Sequence, residues 1–196
     1  MLSRVDEGSE PRVRASWCKL VVGTVKRRRG PIRAQLLDRL HFVRRRIRPL
    51  GITAWAPAEV LLDLDEALVD VLGRVGAREL WCDNLLEAMD SALLRPIIST
   101  SLRLYGDSPA SLLRMAPRIH GLVCQGCGVL ELDRVGEGEV DLTLRGMPPA
   151  IRDRAGLRRA YLASCDASLA RLGLHGEVVE VDAELDAGVT RIQIRW

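Results

Sequence analysis

The sequence predicts an α+β fold, in which an N-terminal helical block precedes a ββαββ unit with a four-stranded antiparallel sheet. Up to about residue 122, apolar residues recur at spacings of three and four, which is typical of helices with one buried face. After Cys127 the apolar period changes to two, which is typical of strands with one wet face. The chain of 196 residues is 47% apolar and is therefore long enough to bury a sizeable core.

The expected domain boundaries follow from composition. Residues 1–11 are polar and end in a proline, so we expect a disordered tail there. We expect residues 12–196 to form a single α+β domain, with its helical part at 12–122 and its sheet part at 123–196.

Proline and glycine delimit the expected helices of the first half. A first helix is predicted in VRASWCKLVVGTVKRRRG, ending at Gly30, and a second begins at Pro31. The loop RPLGITAWAP separates them from a third helix, which is predicted from Pro57 to Gly73. This third helix is apolar on more than half of its circumference, so we expect it to be central.

A fourth helix is predicted from Ala77 onwards. Pro96 is expected to kink or restart it, because proline lacks the backbone donor and clashes with the preceding turn. Gly106 is the expected C-cap of that segment. Ser108 as an N-cap, with Pro109 at the first helical position, predicts the start of another helix.

Alternation predicts two hairpins in the second half, with a helix between them. GVLELDRV and GEVDLTLRGM form the first hairpin around the turn GEGE. AIRDRAGLRRAYLASCDASLARLG is an amphipathic helix closed by Gly173. GEVVEVDAEL and VTRIQIRW form the second hairpin around DAG. We expect helices to cover one face of the resulting sheet.

Charge is distributed unevenly along the chain. Residues 1–50 hold 14 basic and 4 acidic residues, whereas the remainder holds 15 basic and 22 acidic ones. The runs KRRRG and RRRIR could bind nucleic acid or anionic lipid, but only Phe42 lies near them as an aromatic platform for bases. We favour solvated helix faces, some of them paired with the acidic helix EVLLDLDEALVD, and we expect no specific nucleic-acid binding.

Cysteine usage indicates a reducing compartment. The five cysteines are an odd number, and no apolar signal segment precedes them, so we expect reduced thiols in a cytoplasmic protein. No apolar run reaches the roughly 20 residues that span a bilayer, so no membrane span is expected.

The order of elements and several motifs resemble a known superfamily. The resemblance is carried by RRRGPIRAQLLDRL, LGITAWAPAEVLLDLDEAL, YGDSPASLLRMAPRI, LTLRGMP and the terminal RIQIRW, and it covers the chain from about residue 12. The chain is similar to haem-NO-binding sensor domains, 4-vinyl-reductase-type ligand-binding domains and small TRAPP trafficking subunits. More closely, it resembles an uncharacterised paralogous family abundant in myxobacteria. The resemblance implies a non-enzymatic ligand-binding or protein-interaction domain.

The resemblance also implies a candidate haem ligand. In haem-binding members a proximal histidine lies on the helix before the sheet, where this chain has His120, and a Tyr-x-Ser-x-Arg motif on a following strand holds the propionates. The corresponding strand reads DLTLRGM, without Tyr or Ser, and unpaired buried propionates would be costly. We therefore favour a histidine near the negative end of a helix dipole over a haem ligand.

Cys124 and Cys127 form a C-x-x-C motif with three interpretations. A structural zinc site needs four ligands, so Cys165, His120 or His175 would have to complete it. A redox dithiol lies at a helix N-terminus, whereas this motif follows a predicted helix. The favoured interpretation is a tight helix-to-strand loop whose cysteines pack as small apolar groups.

These observations favour a regulatory or sensory binding module that has no cofactor, with zinc or haem as alternatives. We expect Trp55, His120 and Tyr161 to line a small-molecule pocket between the helical block and the sheet. No catalytic motif such as G-x-S-x-G is present, so no enzymatic activity is expected. The alternatives are a ligand-free protein–protein scaffold and a nucleic-acid-associated protein that uses its Arg-rich N-terminal half.

We expect a protein partner or a homodimer formed through helices, since the predicted helices at 57–73 and 77–105 have broad apolar faces.

Overall fold

The computed structural model describes residues 10–91, 94–182 and 184–196. Most of the tail expected at residues 1–11 lies outside the described residues, and Glu10 and Pro11 have no regular secondary structure. One cluster of buried apolar side chains extends from Val13 to Ile194 and includes residues of both the helical part and the sheet part.

Three short segments that are far apart in the sequence form a small antiparallel sheet, which the sequence pattern does not predict. Its strands are β1 (Arg12–Arg14), β2 (Trp55–Pro57) and β3 (Cys124–Gln125), in the order β2-β1-β3. The first helix therefore begins at Ala15, and Pro57 ends β2 instead of opening the third helix. Strands of two or three residues are too short to show a period of two, so apolar alternation cannot reveal them.

Proline and glycine delimit the helical block much as predicted. The helices of its described residues are α1 (Ala15–Arg27), α2 (Pro31–Arg39), α3 (His41–Ile47), α4 (Glu59–Met89), α5 (Arg95–Tyr105), α6 (Pro109–Leu113) and α7 (Ala116–Val123). The predicted second helix is divided at Leu40. The predicted third and fourth helices are one element, α4, which Gly73 interrupts with φ 71° and ψ 174°. Pro96 lies in the first turn of α5 and restarts the helix. No helix in the described ranges is both long enough and apolar enough to cross a membrane.

Two expected caps are present where α5 turns into α6. Gly106 follows α5 with φ 87°, in the left-handed region that favours glycine. Ser108 precedes α6, and its hydroxyl accepts a hydrogen bond from the backbone N–H of Ser111 at 3.3 Å. The chain therefore changes direction at the residues that the sequence indicates.

The second half forms the expected four-stranded antiparallel sheet. Its strands are β4 (Val129–Gly136), β5 (Glu139–Arg145), β6 (Glu177–Asp182) and β7 (Thr190–Arg195), in the order β4-β5-β7-β6. The predicted single helix between the hairpins is divided into α8 (Pro149–Arg152) and α9 (Gly156–Arg171). A 3-10 turn at Leu185–Ala187 lies between β6 and β7. The inward positions Val140, Leu142 and Leu144 are buried, as alternation predicts.

Helix α4 is central, and α9 packs along it around a buried ion pair. Asp65 of α4 is 1% exposed, accepts a hydrogen bond from Nε1 of Trp81 at 2.9 Å and pairs with Arg159 of α9. Gly156 permits the close approach of the two helices, because a Cβ there would stand 3.0 Å from Cβ of Asp65. The packing of α4 on α9 fixes the helical block against the second half of the chain.

The acidic face of α4 lies between basic residues of the two halves. Arg39 and Arg46, on α2 and α3, pair with Asp70 at 2.5 Å and Asp63 at 3.0 Å. Arg154, in the turn before α9, also pairs with Asp63, at 2.9 Å. The arginine-rich N-terminal helices thus pair in part with the acidic helix, as the sequence indicates.

Candidate ligand-binding site

A cavity of about 540 Å³ lies between the helices of the N-terminal block, α9 and the inner face of the sheet. Its volume falls within the range of about 300 to 1,000 Å³ that is typical of small-molecule pockets. Most of its wall is apolar. The apolar lining residues are Trp17, Leu20, Ile52, Leu85, Ala88, Met89, Leu94, Ile98, Leu112, Leu113, Met115, Ala116, Ile119, Val123, Leu130 and Leu142.

One face of α9 supplies hydroxyl groups to the wall. Tyr161, Ser164 and Ser168 line the cavity because their spacing of three and four residues places them on one helix face. The hydroxyls of Ser164 and Ser168 donate to the backbone carbonyls of Ala160 and Ser164 at 2.8 and 2.9 Å. These donors are therefore satisfied within the helix, and the α9 wall remains weakly polar.

His120 and Tyr161 are in contact in the cavity wall. His120 is in the last turn of α7, as expected, and is 6% exposed. Its Nε2 is 2.9 Å from the carbonyl oxygen of Gly128, and its Nδ1 contacts the hydroxyl of Tyr161. Glycine is required at position 128, since φ is 98° and a Cβ there would stand 2.6 Å from the carbonyl oxygen of Arg145.

These contacts determine which nitrogen of His120 carries the proton. A carbonyl oxygen can only accept, so Nε2–H donates to Gly128. Burial lowers the pKa of His120 and favours the neutral ring. Nδ1 therefore holds a lone pair and accepts a hydrogen bond from the hydroxyl of Tyr161. The ring is thus not the charged partner that a helix dipole would favour, and both of its nitrogens are occupied.

The C-x-x-C motif lies next to Tyr161. Sγ of Cys124 is 3.6 Å from the hydroxyl oxygen of Tyr161. Sγ of Cys127 is 3.5 Å from the carbonyl oxygen of Arg12 in β1. A hydrogen bond with Cys127 and burial raise the pKa of Cys124 well above its ordinary value. The Cys124 thiol is therefore protonated at neutral pH.

The other ligands considered for zinc lie apart from the C-x-x-C motif or are already engaged. Within the described part of the chain, no group of three or more His, Cys, Asp and Glu side chains is arranged to hold a metal ion. Cys165 lies on α9, where burial raises the pKa of its thiol to about 12. His175 is exposed in the segment between α9 and β6. His120 and Cys124 both contact the hydroxyl of Tyr161, but both nitrogens of His120 are hydrogen-bonded.

Trp55, expected in the pocket, is placed on the small sheet instead. It lies in β2, and the guanidinium carbon of Arg14 is 3.8 Å from the centre of its ring. Nε of Arg14 donates to the carbonyl oxygen of Leu122 at 3.0 Å. The cation–π contact joins β2 to β1. The hydrogen bond joins β1 to the end of α7. His120 and Tyr161 belong to the cavity wall, whereas Trp55 is not among the described residues that form it.

Strand β5 turns a leucine, not its polar residues, towards the cavity. Leu142 lines the cavity, and its neighbours in the alternation point to the opposite face. Thr143 donates to a carboxylate oxygen of Asp133, and Arg145 pairs with Glu131 at 2.9 Å. Thr143 and Arg145 are therefore bonded to β4, and Asp141 accepts a hydrogen bond from Gln193 of β7 at 3.3 Å.

The sequence pattern left several cavity residues unidentified. Lys19 and Arg27 on α1, and Cys165 and Ser168 on α9, contribute to the wall. Recurrence at three and four residues along both helices was the signal that could have found them. Without the pairing of α1 with α9 across the cavity, however, the same spacing is equally typical of an ordinary core face.

Solved structures similar to this chain are H-NOX proteins. The Fe(II) unliganded H-NOX protein of K. algicida has a TM-score of 0.62 at 8% identity, covering 93% of this chain and 95% of that chain. A Cs H-NOX mutant with 4-cyano-L-phenylalanine has a TM-score of 0.61 at 12% identity, with the same coverage of 93% and 95%. A structure titled as probing haem distortion in the H-NOX family has a TM-score of 0.62 at 11% identity, covering 93% of each chain.

These likenesses show that the fold is H-NOX-like, with helices before an antiparallel sheet. At such low identity they show the fold alone. Comparison of the sequence with protein-family profiles and with curated proteins gives no match. The resemblance to a myxobacterial paralogous family therefore stays a prediction.

Proposed function

We propose that this chain is a non-enzymatic sensory or regulatory module that holds a small apolar molecule in the cavity. The observation that carries the proposal is the cavity itself, at about 540 Å³ with a mainly apolar wall. An apolar wall of that extent matches an apolar ligand, which would make contacts along it. A scaffold without a ligand would have no need of such a space, so the cavity favours the sensory module over the scaffold.

Haem is the group to test first, because two of the similar structures carry haem in their titles. The residues of this chain do not fit a histidine-ligated haem. A ligand to iron needs an imidazole lone pair, and both nitrogens of His120 are engaged, with Gly128 and Tyr161. Leu142 occupies the wall of β5, where a polar clamp for the propionates would be needed.

The proposed cavity is tested with N-phenylnaphthylamine, a neutral probe that fluoresces in apolar surroundings. We expect saturable binding at one probe per chain. Ser168→Leu adds bulk to the cavity wall and should weaken binding about tenfold or more, since overfilled packing costs about 1–3 kcal/mol. Ala170→Leu makes a comparable change at an exposed position of the same helix and should leave binding unchanged. Absence of saturable binding to the wild-type protein would contradict the proposal.

The haem interpretation has its own test. Haemin is titrated into the wild-type protein and into His120→Ala, and the Soret band is recorded. Because His120 is engaged in hydrogen bonds, we expect the two spectra to be the same. A wild-type Soret band that shifts on substitution of His120 would establish ligation of the iron by this histidine and overturn the conclusion that His120 does not fit haem.

We further propose that signal output proceeds through a protein partner or a second copy of the chain. The apolar faces of α4, which predict a dimer from sequence, are largely buried inside the chain, at Val60, Leu61 and Leu68. Leu104 and Tyr105 of α5 remain 69% and 56% exposed and supply an apolar surface for such a contact. Light scattering at tens of micromolar should give the mass of two chains, and Leu104→Asp should give that of one. A wild-type mass of one chain would contradict the homodimer.

Specific nucleic-acid reading is not part of the proposal. Ion pairs with Glu87, Asp83 and Asp70 occupy three of the N-terminal arginines, which weakens the basic surface as a phosphate-binding patch. We propose a cytoplasmic location, in keeping with five cysteines that are all unpaired.

A further inference from the structure

The cavity has ionised side chains of one sign. Lys19 and Arg27, both on α1, are among the described residues that line it, and none of those residues is an aspartate or a glutamate. A neutral hydrocarbon would match the apolar part of the wall but would leave the charge of Lys19 without a counterion. A ligand that carries an anionic group would match both features.

Lys19 retains hydrogen-bonding capacity. Its Nζ donates to the backbone carbonyl oxygen of Leu50, which is a neutral acceptor, and an ammonium group has three donors. No carboxylate among the residues that the structure describes forms an ion pair with Lys19. Its charge is therefore not neutralised by a neighbour.

Arg27 is folded back along α1 towards the cavity. Its Nη1 lies 3.4 Å from the point where a Cβ of Gly23 would stand, so the missing side chain leaves a place for the guanidinium beside the wall. Nη2 of the same group bonds Thr24 at 3.3 Å and pairs with Glu87. The charge of Arg27 is therefore met by Glu87, and Lys19 is the cation of the wall whose charge no described carboxylate neutralises.

The part of the cavity wall beside Lys19 is exposed to solvent. Leu20, next to Lys19, is 39% exposed, and Ile52, near the carbonyl that Lys19 contacts, is 71% exposed. His120 and Tyr161, which also line the cavity, form a neutral hydrogen-bonded pair and add no charge to the wall. A ligand can therefore place an apolar chain inside while its charged end stays near water, which avoids burying an unpaired charge.

We propose that the ligand is an amphipathic anion, a hydrocarbon chain that ends in a carboxylate or a phosphate monoester. The chain lies in the apolar cavity, and the anionic end lies beside Lys19, where the wall is exposed. This inference rests on the proposed function and specifies the chemical class of ligand for the same cavity.

The test is calorimetric titration with four probes of equal chain length, each below its micellar concentration. They are dodecanoate, dodecyl phosphate, dodecanol and dodecyltrimethylammonium. We expect both anions to bind about threefold to tenfold more tightly than dodecanol, the effect of a partly exposed charge-assisted contact, and the cation to bind most weakly. A difference between the two anions would identify the preferred head group, and equal binding would indicate recognition of charge alone.

Lys19→Glu should remove the preference for anions and leave the dissociation constant of dodecanol within about twofold. Lys19→Met, which keeps the apolar part of the side chain, should reduce the preference without reversing it and serves if Lys19→Glu folds poorly. Arg45→Glu makes the same charge reversal at an exposed position of α3 outside the cavity wall and should change nothing beyond a small salt-dependent effect.

The results separate the two proposals. Equal binding of dodecanol and the anions to the wild-type protein would overturn the amphipathic anion and leave an apolar ligand standing. No binding of any of the four probes, together with no binding of N-phenylnaphthylamine, would overturn the ligand-binding module itself.

Discussion

The hydroxyl of Tyr161 donates a hydrogen bond to Nδ1 of His120, and both residues line the cavity. Tyr161→Phe keeps the ring and removes the donor, which leaves Nδ1 as a buried acceptor without a partner. We expect the free energy of unfolding to fall by about 1–3 kcal/mol. Urea denaturation measures it.

Tyr105→Phe is the matched control for this change, because Tyr105 is 56% exposed at the end of α5. Its effect should stay within about 0.5 kcal/mol, as for surface positions in general. Equal losses in the two variants would mean that the contact between Tyr161 and His120 contributes nothing specific.

The burial of His120 makes stability depend on pH in a defined direction. Its folded-state pKa lies below the unfolded-state value of about 6.5, so the unfolded chain takes up the proton first. The contribution of His120 is therefore complete above about pH 6.5 and is lost as the pH falls from there through the folded-state pKa.

His120→Gln should reduce the dependence of unfolding free energy on pH between about pH 6.5 and 5, measured by urea denaturation at each pH. His41→Gln changes an exposed imidazole and should leave the curve unchanged in shape. Should His120→Gln fold poorly, the imidazole of His120 can be titrated by NMR in the wild-type protein. A midpoint at or above about 6.5, the ordinary pKa of histidine, would contradict a pKa lowered by burial.

Local signals were sufficient to predict much of the fold. Gly106 and Ser108 end and begin helices because backbone conformation and capping are decided by neighbouring residues. The hairpins were predictable because alternation over seven or eight residues is a strong signal. The three-stranded sheet was not, since Arg12–Arg14 and Trp55–Pro57 are brought together by tertiary packing.

The candidate site shows the same limit. The position of His120 at a helix end followed from the sequence, but its neutral state depends on burial, and the partner of its Nδ1 is Tyr161, which is 41 residues away along the chain. Asp65 belongs to the acidic helix EVLLDLDEALVD, which the sequence pairs in part with the basic runs, and only packing against α9 distinguishes it as buried. Partners far apart in sequence have no local signature, so charge state and burial could not be read from spacing alone.

The buried position of Asp65 leads to a prediction about stability. Asp65→Asn keeps the shape of the side chain and removes the charge that faces Arg159, whose side chain is only 13% exposed. An uncompensated buried guanidinium remains, so we expect a loss of about 3 kcal/mol in the free energy of unfolding.

Asp70→Asn is the matched control on the same helix, since Asp70 pairs with Arg39 where both side chains are more than half exposed, at 51% and 59%. It should cost about 1 kcal/mol or less. Thermal and urea denaturation of the two variants should rank them in that order. A larger loss for Asp70→Asn would show that α4 is anchored by its surface pairs instead of by Asp65.

The last prediction concerns Cys124 and Cys127, which we propose to be structural. Replacing both with serine substitutes small hydroxyl groups for buried thiols, at a cost of about 1–2 kcal/mol each where a hydroxyl is poorly paired. A structural zinc site would instead contribute about 10 kcal/mol or more, which exceeds the total stability of many domains. The two cases predict a moderate fall in melting temperature and a complete loss of folding, respectively.

Two further measurements separate these cases. A chelator should leave the melting temperature of the wild-type protein unchanged if the thiols only pack. The double alanine variant loses the contact of Cys124 with Tyr161 at 3.6 Å but has no buried hydroxyl to satisfy, so it should melt near the double serine variant. A collapse of the melting temperature in both variants, reproduced by the chelator in the wild-type protein, would establish a metal site. The hydrogen bond between the two thiols raises the pKa of Cys124 and lowers that of Cys127, so the motif does not favour two thiolates together, and this argues for the first outcome.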